Sequence, residues 1–316
     1  AITSELRITV TTEEKQLIDR TPTSSLAALD DYRRGREEHL IYQLNNNNAA
    51  ALLNAERFFH HALESDSNYA KAYAGLAAVY WDKHYMKDYL RSDFLDSVAV
   101  LADKALALDG QLPDALYLKG VFFLENGDMD KAEEELDKSI RFNPNNWLPY
   151  FGKDQIYLVK EDLLKAIENL EKARSLNSNE RELMLILLNL GIRYVNAGFP
   201  WKAENLLNEF LSLTEDSAQY FYLMADLEYV LGHHDGSVES LKKACKLDPL
   251  NTTYLFQLAY YLSLTGHFKE ALEIIGKTDL SDHNEINMIH RIGYIFWENG
   301  RTKEANDYFD RQIVIC

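Results

Sequence analysis

The chain has 316 residues, 47% apolar and 26% charged, with only 14 Gly and 6 Pro, a composition that excludes a disordered chain and tolerates helix. Its 33 Lys and Arg stand against 50 Asp and Glu, a net charge of −17, which lacks the clustered positive field that direct nucleic-acid contact requires. Cys245 and Cys316 form no CxxC or metal spacing, so a disulfide framework is excluded, and no apolar run reaches the roughly 18–20 residues of a membrane span.

Residues 1–24 form a head distinct from the rest. Ala1 to Val10 reads as the end of a helix or strand, with no signal-peptide pattern. Thr11-Thr12-Glu13-Glu14 is a helix-start signal, and Thr21-Pro22-Thr23-Ser24 punctuates the chain before its first helix pair. The chain opens on Ala1-Ile2 and stops at Ile315-Cys316 within a helical pattern, so it reads as a segment cut from a longer protein. Leu26 to Leu44 and Ala49 to Leu63 then predict a helix pair, with Asn45-Asn46-Asn47-Asn48 as its turn because Asn tolerates turn conformations.

The next unit starts near Ala70 with Tyr73, Leu76, Ala77 and Tyr80, and resumes at Leu101-Ala102 and Ala105-Leu106 after about nine extra residues. The insertion carries Trp81, Tyr85 and Tyr89 at i, i+4 and i+8, a spacing that favours an extended first helix packing inward over a ligand lid. From Pro113 a period of 34 residues sets in. With Pro113 as position 1, Gly120 holds position 8, Gly127 position 15, Ala132 position 20, and Leu136, Ser139 and Pro144 positions 24, 27 and 32. The unit at Trp147 repeats this with Tyr150, Tyr157, Ala166, Leu170 and Ala173. Three extra residues, Arg181-Glu182-Leu183, lengthen a helix before the register returns at Met184 and continues at Ala218, Thr252 and Ile286. The turn glycines of these later units are Gly198, Gly232, Gly266 and Gly300. The unit from Thr252 ends in the loop Asp279 to Asn284, with Thr278 in place of a small residue at position 27.

The spacing has a direct physical reading. Positions 4, 7, 8 and 11 form one face of a first helix, and positions 20, 24 and 27 one face of a second. Small residues at 8 and 20 let the two helices approach, glycine at 15 suits the left-handed residue after a helix end, and proline at 32 stops the second helix. One such unit leaves its apolar face open, so units must stack.

These residues resemble the tetratricopeptide repeat family over roughly 25–316. The resemblance implies an all-α fold, a right-handed superhelical solenoid of antiparallel helix pairs. About eight units are expected, near 25–68, 70–112, 113–146, 147–183, 184–217, 218–251, 252–285 and 286–316. The stretch TTEEKQLIDRTPTSSLAALDDYRRGREEHL and the insertion WDKHYMKDYLRSDF are similar to bacterial regulators in which a TolB-like domain runs into tetratricopeptide repeats. That likeness implies the sensory or interaction part of a larger signalling or transcriptional regulator, on the periplasmic side of a membrane-tethered protein rather than in the cytoplasm. A scaffold of a multi-protein envelope complex and an accessory repeat region of an enzyme are the alternatives.

In the family, positions 2, 5, 9, 12 and 13 of the first helix line a binding groove. Carried onto this sequence, they give Tyr117, Phe151, Tyr222, Tyr229, Phe256, Tyr260, Tyr294 and Trp297, with His290 at position 5 of the last unit and Trp81 from the insertion. Leu124, Leu158, Leu188 and Ile192 add aliphatic surface, and Lys71, Asp82, Asp114, Glu125, Asp226 and Glu298 charge. The Lys, Arg and Asn set of the family's chaperone-tail clamp is missing from these positions. An aromatic, mildly acidic groove suits an apolar or basic peptide or protein partner, or an aromatic or sugar-bearing ligand. The competing reading packs the rings at 5 and 12 against the next unit, or covers them with residues 1–24. His60-His61 with Glu64, and His233-His234-Asp235, meet no nucleophile, HExxH pattern or phosphate loop, so no catalytic residue, metal or cofactor is expected.

Overall fold

The computed structural model describes residues 23–44, 48–84, 94–177, 180–211, 218–277 and 286–315. Among them every regular element is a helix, and sixteen helices succeed one another in pairs. They are α1 (Leu26–Leu44), α2 (Ala49–Ser65), α3 (Ala70–His84), α4 (Leu95–Leu108), α5 (Pro113–Glu125), α6 (Met129–Phe142), α7 (Leu148–Val159) and α8 (Leu163–Leu176). Then come α9 (Glu180–Asn196), α10 (Pro200–Leu211), α11 (Ala218–Val230), α12 (His234–Leu247), α13 (Thr252–Leu264), α14 (Phe268–Lys277), α15 (Ile286–Glu298) and α16 (Thr302–Ile315). The chain divides into two compact units, one through Ile156 and one from Tyr157, with the division inside α7. The expected helix start at Thr11–Glu14, the turn residues Asn45–Asn47, Tyr85, Tyr89, Thr278 and the loop Asp279–Asn284 lie outside the described residues.

Local chemistry sets the helix ends. Pro113 opens α5 where its missing N–H costs nothing. Asp128 and Asp162 cap α6 and α8 by accepting from the backbone N–H of Lys131 and Lys165, and Asn48 and Asn251 cap α2 and α13 in the same way. The turn glycines have the left-handed backbone their position demands, with φ of 76° at Gly127, 81° at Gly198, 84° at Gly232 and Gly266, and 71° at Gly300. Each is succeeded by an N–H that reaches back across the turn, as in Asp128 N to Phe123 O at 2.9 Å and His233 N to Glu228 O at 2.8 Å. The turn between α7 and α8 closes identically, Asp162 N to Tyr157 O at 2.8 Å, yet its left-handed residue is Glu161, with φ of 57°. The extra residues Arg181-Glu182-Leu183 are helical, inside a 17-residue α9.

Small residues control the packing. In the first unit the Phe59 ring of α2 sits between Gly35 of α1 and Gly75 of α3, where an added Cβ would lie 2.8 and 2.6 Å from ring carbons. Leu136 of α6 is held the same way against Gly120 of α5, whose Cβ would meet Leu136 Cδ2 at 2.6 Å, and Gly152 of α7. In the second unit Gly191 faces Leu227 and Gly293 faces Phe309. Position 20 is fully buried as Ala132, Ala166, Ala203, Ser237, Ala271 and Ala305. Position 8 of α7 breaks the rule: Asp154 is fully buried there and accepts from Gln155 Nε2 at 3.0 Å.

Two substitutions test these turns and contacts. Glu161→Gly relieves a left-handed side-chain strain of about 1–2 kcal/mol, offset in part by the freer unfolded chain at about 0.4–1 kcal/mol. The net expectation is a gain of about 0.5–1 kcal/mol in urea unfolding. Gly120→Ala forces its new methyl onto Leu136 and loses about 1–3 kcal/mol by the same measurement.

Candidate functional site

In the first unit, α3 touches both α1 and α5, so three successive first helices present one face together. On that face lies a cavity of about 610 Å³, within the range of ligand-binding clefts. Its floor is small, with Ala74, Gly75 and Ala78 of α3. One wall is α1, through Tyr32, Arg36, Glu37, His39, Leu40 and Gln43. The other is α5, through Asp114, Tyr117 and Leu118, extended by Asn143, Asn145, Asn146, Trp147 and Leu148 from the loop into α7. Trp81 and Asp82 close one end of the α3 face, and Lys71 marks the other.

The charges on this cavity fall into two sets. His39, only 7% exposed, pairs through Nε2 with Asp82 Oδ2 at 2.5 Å and ties α1 to α3. Burial, with the Asp82 charge adding to it, pushes the Tyr117 phenol upward, so its hydroxyl stays protonated. Arg36, Glu37, Lys71 and Asp114 make no ion pair among the described residues. Among the described residues Arg36 hydrogen-bonds the Tyr32 hydroxyl, at 3.5 Å.

Of the residues expected to line a groove, Trp81 and Tyr117 do border this cavity, as do the charged Lys71, Asp82 and Asp114. Phe151 stands behind it, edge-on to Trp147 at 5.7 Å between ring centroids. Trp81 belongs to the last turn of α3 and packs partly against the core beneath, the inward placement its spacing favours. Tyr32, Arg36, His39 and Leu40 were not expected, because no register reached α1. Gly35 provides it: taken as position 8, it puts Tyr32 at 5, Arg36 at 9 and His39 at 12. The loop residues Asn143 to Trp147 lie off any first helix, so a position rule confined to helices has no place for them.

The second unit treats the equivalent face differently. Phe256 is only 3% exposed and belongs to the core, which corrects its assignment to a groove: its ring fills the space beneath α13 and offers no face to a ligand. Tyr222, Tyr229 and Tyr260 are partly buried against the same core. Tyr229 stacks on Tyr261 at 4.3 Å, and Tyr222 lies 5.0 Å from Tyr254. Asp226 of α11 accepts from Tyr261 Oη at 2.6 Å and Gln257 Nε2 at 3.1 Å, both from α13. Arg291 of α15 donates to Gln257 Oε1 at 3.0 Å while its guanidinium lies 4.5 Å from the Tyr260 ring centre. Tyr294 lies 6.3 Å from Trp297, which is 55% exposed, and His290 is exposed as well. The rings at 5 and 12 of α11 thus pack against neighbouring elements, while Trp297 of α15 stays open.

No helix among the described residues is long and apolar enough to cross a membrane, and no three His, Cys, Asp or Glu residues there are grouped to hold a metal ion. The fold and groove define a helix-pair repeat protein. Tetratricopeptide repeat models match residues 91–146 and 218–249, and the chain carries tetratricopeptide repeats. DnaJ homolog subfamily C member 3 of Bos taurus is 24% identical over 299 residues, 85% of this chain and 57% of that protein. The protein of that name from Mus musculus is 24% identical over 226 residues, 67% of this chain and 43% of its own length. The chain thus spans about half the length of these curated relatives. The crystal structure of yeast Tom70 is similar in fold, with a TM-score of 0.63 and 16% identity over 93% of this chain and 61% of that one.

Burial raises the Asp226 carboxyl above its usual range, against the opposing hydrogen bonds of Tyr261 and Gln257 and the charge of Arg291. A carboxyl whose folded pKa exceeds its unfolded value stabilises the fold fully below the unfolded pKa, and that contribution is lost as pH rises through the folded one. Asp226→Asn keeps the acceptor and removes the titration, so its urea midpoint falls less than that of the parent between about pH 4 and pH 7. Asp226→Leu strands two donors and costs about 1–3 kcal/mol for each.

Proposed function

We propose that this chain is a protein-interaction module that holds an extended polypeptide segment of a partner on the first-helix face of its first unit. The observation that carries this reading is the cavity of about 610 Å³ bordered by Tyr32, Trp81, Tyr117 and Trp147, with four charged groups that have no ion-pair partner among the described residues. Aromatic rings give apolar contact area at low entropic cost, and the asparagines of the loop into α7 supply donors and acceptors for a backbone. Nothing among the charged groups pairs a nucleophile with a base, which favours binding over chemistry.

The resemblance of the head to the junction of bacterial regulators supports a finer setting, in which this module is the interaction part of a signalling or transcriptional regulator. Reading the gene on both sides of the segment tests that setting: an effector domain in frame supports it, and an envelope-complex or enzyme domain replaces it.

For binding itself, a membrane array of random, unstructured 12-residue peptides probed with the chain should show a selected subset. Trp147→Ala, on a ring at the cavity wall, should weaken the selected peptides about tenfold or more, in line with truncation of a buried aromatic anchor. Helical circular dichroism should stay at the parent value. An array with no selected subset, or one that Trp147→Ala leaves unchanged, defeats this reading.

A further inference from the structure

The net charge of −17 belongs to the whole chain, and the cavity of the first unit does not share it. Its four charges with no ion pair among the described residues are two cations, Arg36 and Lys71, and two anions, Glu37 and Asp114, while Asp82 is already engaged by His39. The local field is close to balanced. A strongly basic segment therefore gains from two carboxylates and loses to two cations, and an acidic segment meets the mirror image.

Arg36 and Asp114 stand on opposite walls with α3 between them. They are too far apart to form an ion pair, yet Asp114 acts on the Arg36 side of the cavity. The Tyr32 phenol is raised chiefly by burial, and the charge of Asp114 adds to that shift while Arg36 opposes it. Below the gap lie Ala74 and Ala78, which project little into it. Two helix-packing steps separate α1 from α5, about 16–20 Å between axes. Once side chains from both walls are subtracted, the slot is too narrow for a helix of about 10–12 Å. It is wide enough for one extended chain, whose neighbours in a sheet lie about 4.8 Å away.

We propose that Arg36 and Asp114 together grip one peptide unit of an uncharged, extended partner segment lying over the alanine floor of α3, Arg36 donating to its carbonyl and Asp114 accepting from its N–H. This rests on the peptide-groove reading above and adds the partner's charge class and the two specificity-determining residues. A peptide unit is the group that offers an acceptor to a guanidinium and a donor to a carboxylate at once. A lysine or arginine side chain satisfies Asp114 alone, and a glutamate satisfies Arg36 alone.

The test uses the full chain carrying Trp201→Phe and Trp297→Phe, so that fluorescence reports Trp81 and Trp147 only. Three end-blocked decapeptides of equal length are titrated: one of alternating Leu, Ser and Asn, one with four Lys, one with four Glu. The neutral peptide should bind tightest, and its Kd should change by less than about threefold between 50 and 500 mM NaCl, as expected where no net charge is neutralised. Arg36→Leu and Asp114→Leu should each weaken it about tenfold or more, the loss expected for a hydrogen bond to a charged group. The double variant should lose little beyond either single one, because both side chains hold the same peptide unit. The proposal is overturned if the Lys peptide binds at least tenfold tighter with steep salt dependence, or if the neutral peptide binds and neither leucine variant changes its Kd. If none of the three peptides binds, the peptide-groove reading itself falls, and this inference with it.

Discussion

A bulky side chain of a second helix lodged between glycines of two successive first helices is the contact on which the first unit depends. Phe59 between Gly35 and Gly75, and Leu136 against Gly120, leave no room for a Cβ at those three positions, and Gly152 on the other side of Leu136 leaves a tight 3.1 Å. Overpacking there costs about 1–3 kcal/mol, a large share of a marginal stability. Gly35 and Gly75 seat the Phe59 ring, against which the Tyr32 ring also packs at 5.8 Å between centroids, while Arg36, His39, Ala74 and Ala78 line the cavity beside it. The core contact and the cavity wall thus share Tyr32 and Gly75.

The fold was legible in the sequence because small residues, turn glycines and apolar stripes recur at one spacing, and each has a single structural job. Where the job can be done another way, the pattern blurs. Glu161 takes the left-handed turn position without being glycine, and a fully buried Asp154 stands where other units place Gly or Ala. The first pair escaped the register because the 34-residue count does not run through Asn45–Asn48 and the later insertion. Gly35 as position 8 would have recovered Tyr32, Arg36 and His39, yet one glycine in a helix is weak evidence without its partner Phe59 in view.

The groove was less legible, for a physical reason. A position rule states which way a side chain leaves the helix, and says nothing of how deep its neighbours let it sink. Tyr222, Phe256 and Tyr260 obey the rule for facing outward, yet Phe256 is in the core and the two tyrosines are half covered. Likewise the overall charge of −17 gives no account of a cavity where cations and anions balance. Long-range charge governs encounter and solubility, whereas a site is set by the few groups that touch it.

What distinguishes the two units is the size of the residues at equivalent positions. At positions 5 and 9, α3 carries Ala74 and Ala78, while α11 carries Tyr222 and Asp226, and α13 carries Phe256 and Tyr260. Two alanines leave a floor over which a ligand can lie. Their counterparts fill that space with rings and tie it shut with the bonds from Tyr261 and Gln257 to Asp226 and from Arg291 to Gln257. The second unit uses its first-helix face to link α11, α13 and α15, at the cost of a buried carboxyl held above its usual pKa. One repeat pattern thus yields a face floored by alanines at α3 and a face filled with packed rings between α11 and α13.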